Sequence, residues 1–399
     1  MRWLLAALLL LPFSFALEST NFAGEHPVIY GSFIAYENNN SVYVYNLQSK
    51  QNTFVARGAH PSIFGYTLVF DVQEVEDING DGDTADSIVY YYKINDKTLE
   101  VAGVGRHPFV LSNLIVFSSK ESELGVDFSN NGGLEDDIIR GFDLSNKELI
   151  NFKAVGDYPV ATKSSIAFLT KEDQHGFDLT ADDDKADTVL RVLDIQTRGV
   201  DNTRILATPL LLSKGTAVFS TDKIYIFDMK EQKVRGLPVN GNHPGVYEDK
   251  VVFERDGNLY AYDLETLQAA PLDIKGVEPV LFEGTIAFSS SESVLGDLNG
   301  NGVEESIIRY SIEDFDHLPY EDCDSAGDSC AGLNAKPRKA KEKKSDVVSG
   351  EEITTPAERE PTYPWYYYAL GILIAIVILP PLSYYGYKYY KKRQKSFGF

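Results

Sequence analysis

Between Gly58 and Gly105 the apolar positions fall into short runs. Ser62–Phe64 and Thr67–Val72 are apolar segments, Ser87–Ile94 and Thr98–Val101 alternate between apolar and polar, and an acidic loop, Asp77–Asp86, separates the two pairs. Runs of this length bounded by turn residues predict half-buried β-strands. The unit opens on a turn, Gly58-Ala59-His60-Pro61, and that opening recurs. It returns as Gly24-Glu25-His26-Pro27, Gly105-Arg106-His107-Pro108, Gly156-Asp157-Tyr158-Pro159, Gly241-Asn242-His243-Pro244 and Gly276-Val277-Glu278-Pro279, with a degenerate copy at Ala207-Thr208-Pro209. Repeats of this length with several short strands each predict a propeller or a solenoid.

Each unit offers four strand-like pieces. The first follows the proline, as in Pro108-Phe109-Val110-Leu111. The second is apolar and usually ends in Phe: Leu114–Phe117, Ser165–Phe168, Ala217–Phe219, Val251–Phe253 and Thr285–Phe288. The third alternates, as in Ser41–Asn46, Asp137–Asp143, Lys223–Asp228, Asn258–Asp263 and Ser306–Ser311, and the fourth is short, as in Glu148–Phe152 or Ala269–Leu272. The expected fold is all-β, a seven-bladed β-propeller of four-stranded antiparallel blades; a solenoid would instead show parallel coils and capping repeats. The seventh unit stops after its third strand, while Leu17–Ala23 precedes the first unit and resembles a fourth strand. Donating that piece to the last blade would close the ring and bury two open edges.

The recurring pattern is Pro-x-[Ile/Val]-x-x-x-x-[Ile/Val]-x-Phe, then [Ile/Leu/Val]-Tyr-x-[Tyr/Phe]-Asp-[Leu/Met]. It resembles the TolB-like and WD-repeat-like propeller repeats of bacterial and archaeal surface proteins, over about residues 17–315. The Ser-Pro-Asp-Gly turn usual after the first strand in that family is missing, which points to kinship of repeat type. The resemblance implies a propeller at a prokaryotic, archaeal cell surface and leaves its activity open.

The two ends give the repeats their setting. Residues 1–16 carry Arg2, an apolar run Trp3–Phe15 and the ending Ser14-Phe15-Ala16, which fits a cleaved signal peptide; an uncleaved anchor is the alternative. Residues 365–387 are uncharged, with tyrosines at both borders of an aliphatic centre, Ala369–Leu382. As a helix they would extend about 34 Å, enough to cross a bilayer. Lys388, Lys391, Lys392, Arg393 and Lys395 follow, placing the 388–399 tail in the cytoplasm and the propeller outside. Pro380-Pro381 should kink that helix near its inner end. Residues 316–361 hold Cys323 and Cys330, and then a charged stretch too poor in large apolar residues to form a core. Exported cysteines with six residues between them suit one small disulfide loop; a zinc site would need further soft ligands.

Charge narrows the partners. Of the formal net charge of −22, Arg2, the 331–361 tether and the basic tail hold +7, which leaves −29 on the repeats and the Cys segment. Such a domain repels nucleic acid and anionic lipid and attracts cations. The 24 Tyr and 22 Phe favour strands.

Four units carry an acidic insert between second and third strands. The candidate ligands are Asp77, Asn79, Asp81, Asp83 and Asp86 in the first, and Asp127, Ser129, Asn131, Glu135 and Asp136 in the second. The third offers Asp178, Thr180, Asp182, Asp184 and Asp187; the fourth offers Asp297, Asn299, Asn301, Glu304 and Glu305. Oxygen donors at positions 1, 3 and 5 with Gly at 6 wrap hard oxygen ligands around Ca²⁺. The spacing resembles the first half of EF-hand, dockerin and thrombospondin-type calcium loops. It departs from EF-hands in its closing acid, at position 9 or 10. The competing reading is a set of solvated acidic turns.

The second candidate site is the residue before each proline: His26, His60, His107, Tyr158, His243 and Glu278. With first strands innermost, these would ring one mouth of the central channel and could bind a polar ligand or a metal. Alternatively the residue before proline is held extended and its imidazole bonds the next blade's backbone. No nucleophile elbow, phosphate loop or zinc-protease helix occurs in the sequence. Three functions stay open: a surface propeller binding an extracellular protein or glycan, an extracellular hydrolase or lyase using the His-bearing mouth, and a scaffold subunit of an envelope complex.

Overall fold

The computed structural model describes residues 17–80, 82–313, 315, 318, 321 and 322. The expected signal peptide (residues 1–16), Asp81, Cys323, Cys330, the 331–361 stretch, the expected membrane segment 365–387 and the 388–399 tail lie outside the described residues. Among the described residues no helix is long and apolar enough to cross a membrane.

The strands form seven antiparallel sheets arranged as propeller blades. Blade one is β2 (Glu25–Tyr30), β3 (Phe33–Glu37), β4 (Ser41–Asn46) and β5 (Gln51–Arg57); blade two is β6 (Ala59–Phe64), β7 (Thr67–Gln73), β8 (Ser87–Lys93) and β9 (Thr98–Val104). Blade three runs β10 (Arg106–Leu111), β11 (Leu114–Lys120), β12 (Asp137–Asp143) and β13 (Glu148–Val155). Blade four runs β14 (Asp157–Ala161), β15 (Ser165–Lys171), β16 (Thr188–Asp194) and β17 (Val200–Leu206). Blade five is the shortest, with β18 (Leu211–Ser213), β19 (Thr216–Ser220), β20 (Ile224–Asp228) and β21 (Lys233–Gly236). Blade six has β22 (Asn242–Tyr247), β23 (Lys250–Arg255), β24 (Asn258–Asp263) and β25 (Gln268–Lys275); β29 (Glu321–Asp322) joins it as a fifth strand on β25.

Blade seven consists of β26 (Val277–Phe282), β27 (Thr285–Ser291), β28 (Ser306–Ile312) and the N-terminal β1 (Glu18–Ala23), which pairs antiparallel with β28. The expected closure is therefore present. Thr20 Oγ1 donates to the Ile308 carbonyl at 2.7 Å and Gly24 N to Ser306 O at 2.7 Å. Ile29, Ile34, Tyr36 and Tyr45 of blade one share a buried cluster with Ala287, Ile308 and Tyr310 of blade seven.

Inside each blade one aromatic side chain fixes the chain path. The fourth residue of each second strand is a fully buried ring: Tyr36, Phe70, Phe117, Phe168, Phe219, Phe253 and Phe288. One side of it is stacked by a third-strand tyrosine in blades one, two, five and six (Tyr43, Tyr90, Tyr225, Tyr260), with interplanar angles of 9° to 18°. In blades three, four and seven the residue opposite is Arg140, Arg191 or Arg309. Against the ring sits the glycine that opens the unit. A Cβ at Gly24, Gly58, Gly105, Gly156, Gly241 or Gly276 would come within 2.3–2.6 Å of a ring carbon. Blade five has Ala207 at this place, and its first strand pairs only from Leu211 onward. Pro209 stands where the other blades have the left-handed residue of the bulge, and its ring holds φ near −65°, so blade five cannot open its first strand in the same way.

The opening motif is not a turn, as its composition suggested. It begins the first strand, and the register steps from Ala59↔Asp71 to Ser62↔Val69, leaving His60 and Pro61 opposite one residue. This is a β-bulge, and proline fits there because a bulge leaves its missing N–H without consequence. The same shift occurs in blades one, three, four, six and seven.

Substituting Gly156→Ala should reduce stability by about 1–3 kcal/mol through overpacking against Phe168, read from the urea midpoint. A change below about 0.5 kcal/mol, the usual scale of a surface substitution, would show that the contact does not constrain the blade.

Candidate functional site

Both candidate groups lie on one face of the propeller, and backbone hydrogen bonds hold them together. The amide that opens each following blade donates to the residue just after an insert: Gly105 N to Ser87 O (2.7 Å), Gly156 N to Asp137 O (2.7 Å), Ala207 N to Thr188 O (3.2 Å) and Gly24 N to Ser306 O (2.7 Å). The chain leaves blade seven on the opposite face, since Ile312 pairs with Thr285 at the other end of the sheet from Ser291↔Ser306.

The four inserts are built alike. Position-1 aspartates gather the loop's amides: Asp77 accepts from Gly80 and Gly82, Asp127 from Gly132, Asp178 from Ala181 and Asp183, and Asp297 from Gly300 and Gly302, at 2.5–3.0 Å. The Gly132 amide holds the Asp127 carboxyl below its usual range. Desolvation pushes Asp178 upward, but the Asp183 and Ala181 amides outweigh it and leave that carboxyl lowered. Ser129 and Thr180 turn their hydroxyls to these aspartates at 3.1 and 3.3 Å. The closing acid accepts from a loop amide side chain in three loops: Asp86 from Asn79, Asp136 from Asn131 at 2.7 Å, and Glu305 from Asn299 and Asn301 at 3.1 and 2.8 Å. In the third loop Asp184 and Asp187 converge with Glu172, their carboxylate oxygens all within 4.8 Å of one another. Asp182 lies beside them, its carboxylate accepting from the Asp184 amide at 3.2 Å. Glu135 faces solvent and pairs with Lys120 at 3.4 Å, and Glu304 is exposed, so neither is drawn into its loop. Asp83 is exposed and accepts from Ala85 N at 2.8 Å.

Sequence reasoning missed the residue that anchors every insert. Glu74, Glu121, Glu172 and Glu292 follow the second strand directly and are 4%, 0%, 0% and 3% exposed. Each donates its amide to the closing acid's carbonyl: Glu74 to Asp86, Glu121 to Asp136, Glu172 to Asp187 and Glu292 to Glu305, at 2.8–3.0 Å. Each also accepts two loop amides on one carboxylate oxygen, as Glu292 Oε1 does from Leu298 and Asn299 at 2.7 and 3.1 Å. The available signal was a glutamate at the same offset from the buried ring in four units.

At the channel mouth, the residues before proline are not extended. His26, His60, His107, Tyr158, His243 and Glu278 all have φ between 47° and 54°. The left-handed region is uncommon for residues with a Cβ and each instance costs about 1–3 kcal/mol. Carboxylates offset it. His26 N donates to Glu278 at 2.9 Å, His60 N to Glu37 at 2.6 Å and His107 N to Asp71 at 3.2 Å, each linking one blade to its predecessor. The imidazoles also bond carboxylates and not the next blade's backbone: His26 with Glu278 (2.9 Å), His60 with Asp71 (2.9 Å), His107 with Asp157 (2.7 Å) and His243 with Glu254 (3.3 Å). The rings of His60 and His107 meet edge-on at 4.5 Å, and His107 stacks on Tyr158 at 3.9 Å.

Beneath them lies a channel of about 250 Å³ lined by first-strand residues including Val28, Ile63, Phe109 and Leu281. The Ser118 hydroxyl, fully buried, donates to Asp157, the same carboxylate that holds His107. A nucleophile needs the base beside it; here the acid lies between the two.

No family model matches the chain, and no curated protein matches it by sequence. Among solved structures, the β-propeller domain of the Trilobed protease from Pyrococcus furiosus aligns at 13% identity and a TM-score of 0.50, covering 76% of this chain and 99% of that one. That domain has an open velcro topology, whereas here β1 closes blade seven. The acylaminoacyl peptidase of Pyrococcus horikoshii aligns at 13% identity and a TM-score of 0.50, over 74% of this chain. The chain spans about half of that enzyme, 53% of its length. TolB of Acinetobacter baumannii aligns at 12% identity and a TM-score of 0.37, covering 72% and 78%. The two likenesses at a TM-score of 0.50 support the propeller fold and say nothing about activity.

The hydrogen bond from Glu278 raises the His26 pKa to about 9. Desolvation pushes Glu278 up, but His26 outweighs it and leaves that carboxyl lowered. With an unfolded value of about 6.5, the pair's stabilising contribution is complete below that pH and is lost as pH rises through 9. In a proton NMR titration His26 should show a midpoint near 9, falling back toward the unfolded value in Glu278→Gln; an unperturbed midpoint in the parent protein would contradict the pairing.

Proposed function

We propose that the chain is a membrane-anchored, calcium-stabilised β-propeller that uses its insert-bearing face to bind an extracellular partner. The observation that carries this reading is the set of apolar side chains on the acidic loops. Val75 and Ile78 in the first insert, Val126 and Leu134 in the second, Phe177 in the third, and Val294 and Val303 in the fourth are all exposed. Folding does not use them, and clustered exposed apolar groups rimmed by charge mark interaction surfaces. Backbone-wrapped aspartates hold the tips in place, so little ordering entropy opposes binding. Valine and phenylalanine tips framed by carboxylates favour a protein partner with basic rims over a glycan, which would need more stacking aromatics than Tyr158 and Phe177 supply. Export and the orientation away from the membrane rest on residues 1–16, 365–387 and the basic tail, together with the chain's exit from the opposite face. The hydrolase or lyase reading gains nothing from the placement of Ser118.

Full-length protein in detergent should bind its extracellular partner, assayed against purified surface proteins and glycans, only with calcium present. Phe177→Ser with Val294→Ser should abolish that binding and leave the melting temperature unchanged. Binding that persists in chelator or in the double variant would overturn the assignment of this face.

A further inference from the structure

The first insert contains a buried polar atom with no protein partner. Glu74 Oε1 accepts the Ile78 and Asn79 amides at 2.6 and 3.2 Å, but Glu74 Oε2, on a side chain 4% exposed, has none. A buried carboxylate oxygen without a hydrogen-bond donor is expensive and suits a bound water or cation. Its position is fixed by the backbone bond from Glu74 N to Asp86 O and by the two amides on its twin oxygen. The free oxygen is therefore held at the base of the first insert, on the carboxylate that anchors its amides.

The third insert shows what that position can hold. The Glu172 carboxylate, held at the same structural place, brings an oxygen within 4.8 Å of oxygens from both Asp184 and Asp187. Oxygens bound to one calcium at about 2.4 Å lie at most about 4.8 Å apart. Three carboxylates at that separation repel one another unless a cation sits among them. All the donors are oxygens, which selects a hard divalent ion over zinc or copper.

We propose that the buried glutamate opening each insert (Glu74, Glu121, Glu172, Glu292) is a direct calcium ligand: one carboxylate oxygen takes two loop amides, and the other meets the ion, unpartnered in Glu74 and also accepting from Ser129 Oγ, Asp187 N or Glu305 N in Glu121, Glu172 and Glu292. This deepens the calcium reading of the inserts and rests on it. It supplies the ligand that the spacing of the loops leaves short: an acid contributed from the end of a rigid core strand, upstream of position 1, where EF-hand-like spacing looks downstream. Calcium binding is thereby tied to the sheet itself, and through the closing acid to the amide that opens the next blade.

Calorimetric titration of full-length protein in detergent with calcium chloride tests this, using Glu74→Gln, Glu172→Gln and the exposed neighbour Glu76→Gln. Glutamine keeps an oxygen for the two loop amides but loses the charge. The parent protein and Glu76→Gln should bind calcium alike. Glu74→Gln and Glu172→Gln should each lose one site, or weaken it by about tenfold or more. Should one variant fail to fold, the equivalent change at Glu121 or Glu292 reads the same role in a separate loop. A parent protein that takes up no calcium would overturn the calcium reading as a whole. Calcium binding that is unchanged in number and affinity in every glutamate variant would remove these residues as ligands and leave the loops as calcium sites.

Discussion

The architecture depends on the contact between a buried ring and the glycine that opens each unit. A ring with less than a Cβ of clearance from the crossing strand leaves the chain one path from the outer strand of one blade to the inner strand of the next. Burying each ring contributes about 1.5–3 kcal/mol, and its repetition makes the blades superimposable modules. Blade five departs from the pattern, with Ala207 in place of the glycine, Pro209 in place of the left-handed residue and an inner strand of three residues. The N-terminal β1 then removes the two edges that an unclosed seventh blade would expose.

The same crossover determines where chemistry can sit. Starting the first strand under a ring requires a bulge at the next two residues, and the bulge puts the residue before proline into left-handed backbone. Its amide points at the preceding blade and is met there by Glu37, Asp71 or Glu278. The mouth is thus a belt of imidazoles and carboxylates bonded to each other, with His26 protonated at neutral pH. Its charges are largely engaged internally, which makes it a joint between blades. The four inserts beside it present both acids and exposed apolar tips.

Much of this was legible because it is local and repeated. The Gly-x-His-Pro openings, the alternating third strands and the spare strand at residues 17–23 each carry their signal within a few residues, and seven blades with velcro closure follow from them. What stayed hidden depends on pairs distant in the chain. Nothing near His26 announces Glu278, 252 residues away. The bulge was read as a turn because glycine and proline punctuate both. In the inserts the position-1 aspartates were visible from spacing, but Glu135 and Glu304 look as suitable as Asp136 and Glu305 until the backbone decides which acid faces inward. The anchoring glutamates were overlooked because they sit at the end of an apolar strand, before the acidic pattern begins.

On the proposed reading, calcium organises the four loops on one face while the blades hold their shape without it. Amide hydrogen exchange of the full-length protein, with and without calcium, tests it directly, because blades one, five and six lack inserts and serve as internal references. The account predicts calcium-dependent protection in residues 74–86, 121–136, 172–187 and 292–305, with the connections at 38–40, 221–223 and 256–257 unchanged. Protection spread evenly over all seven blades, or absent from the inserts, would contradict it.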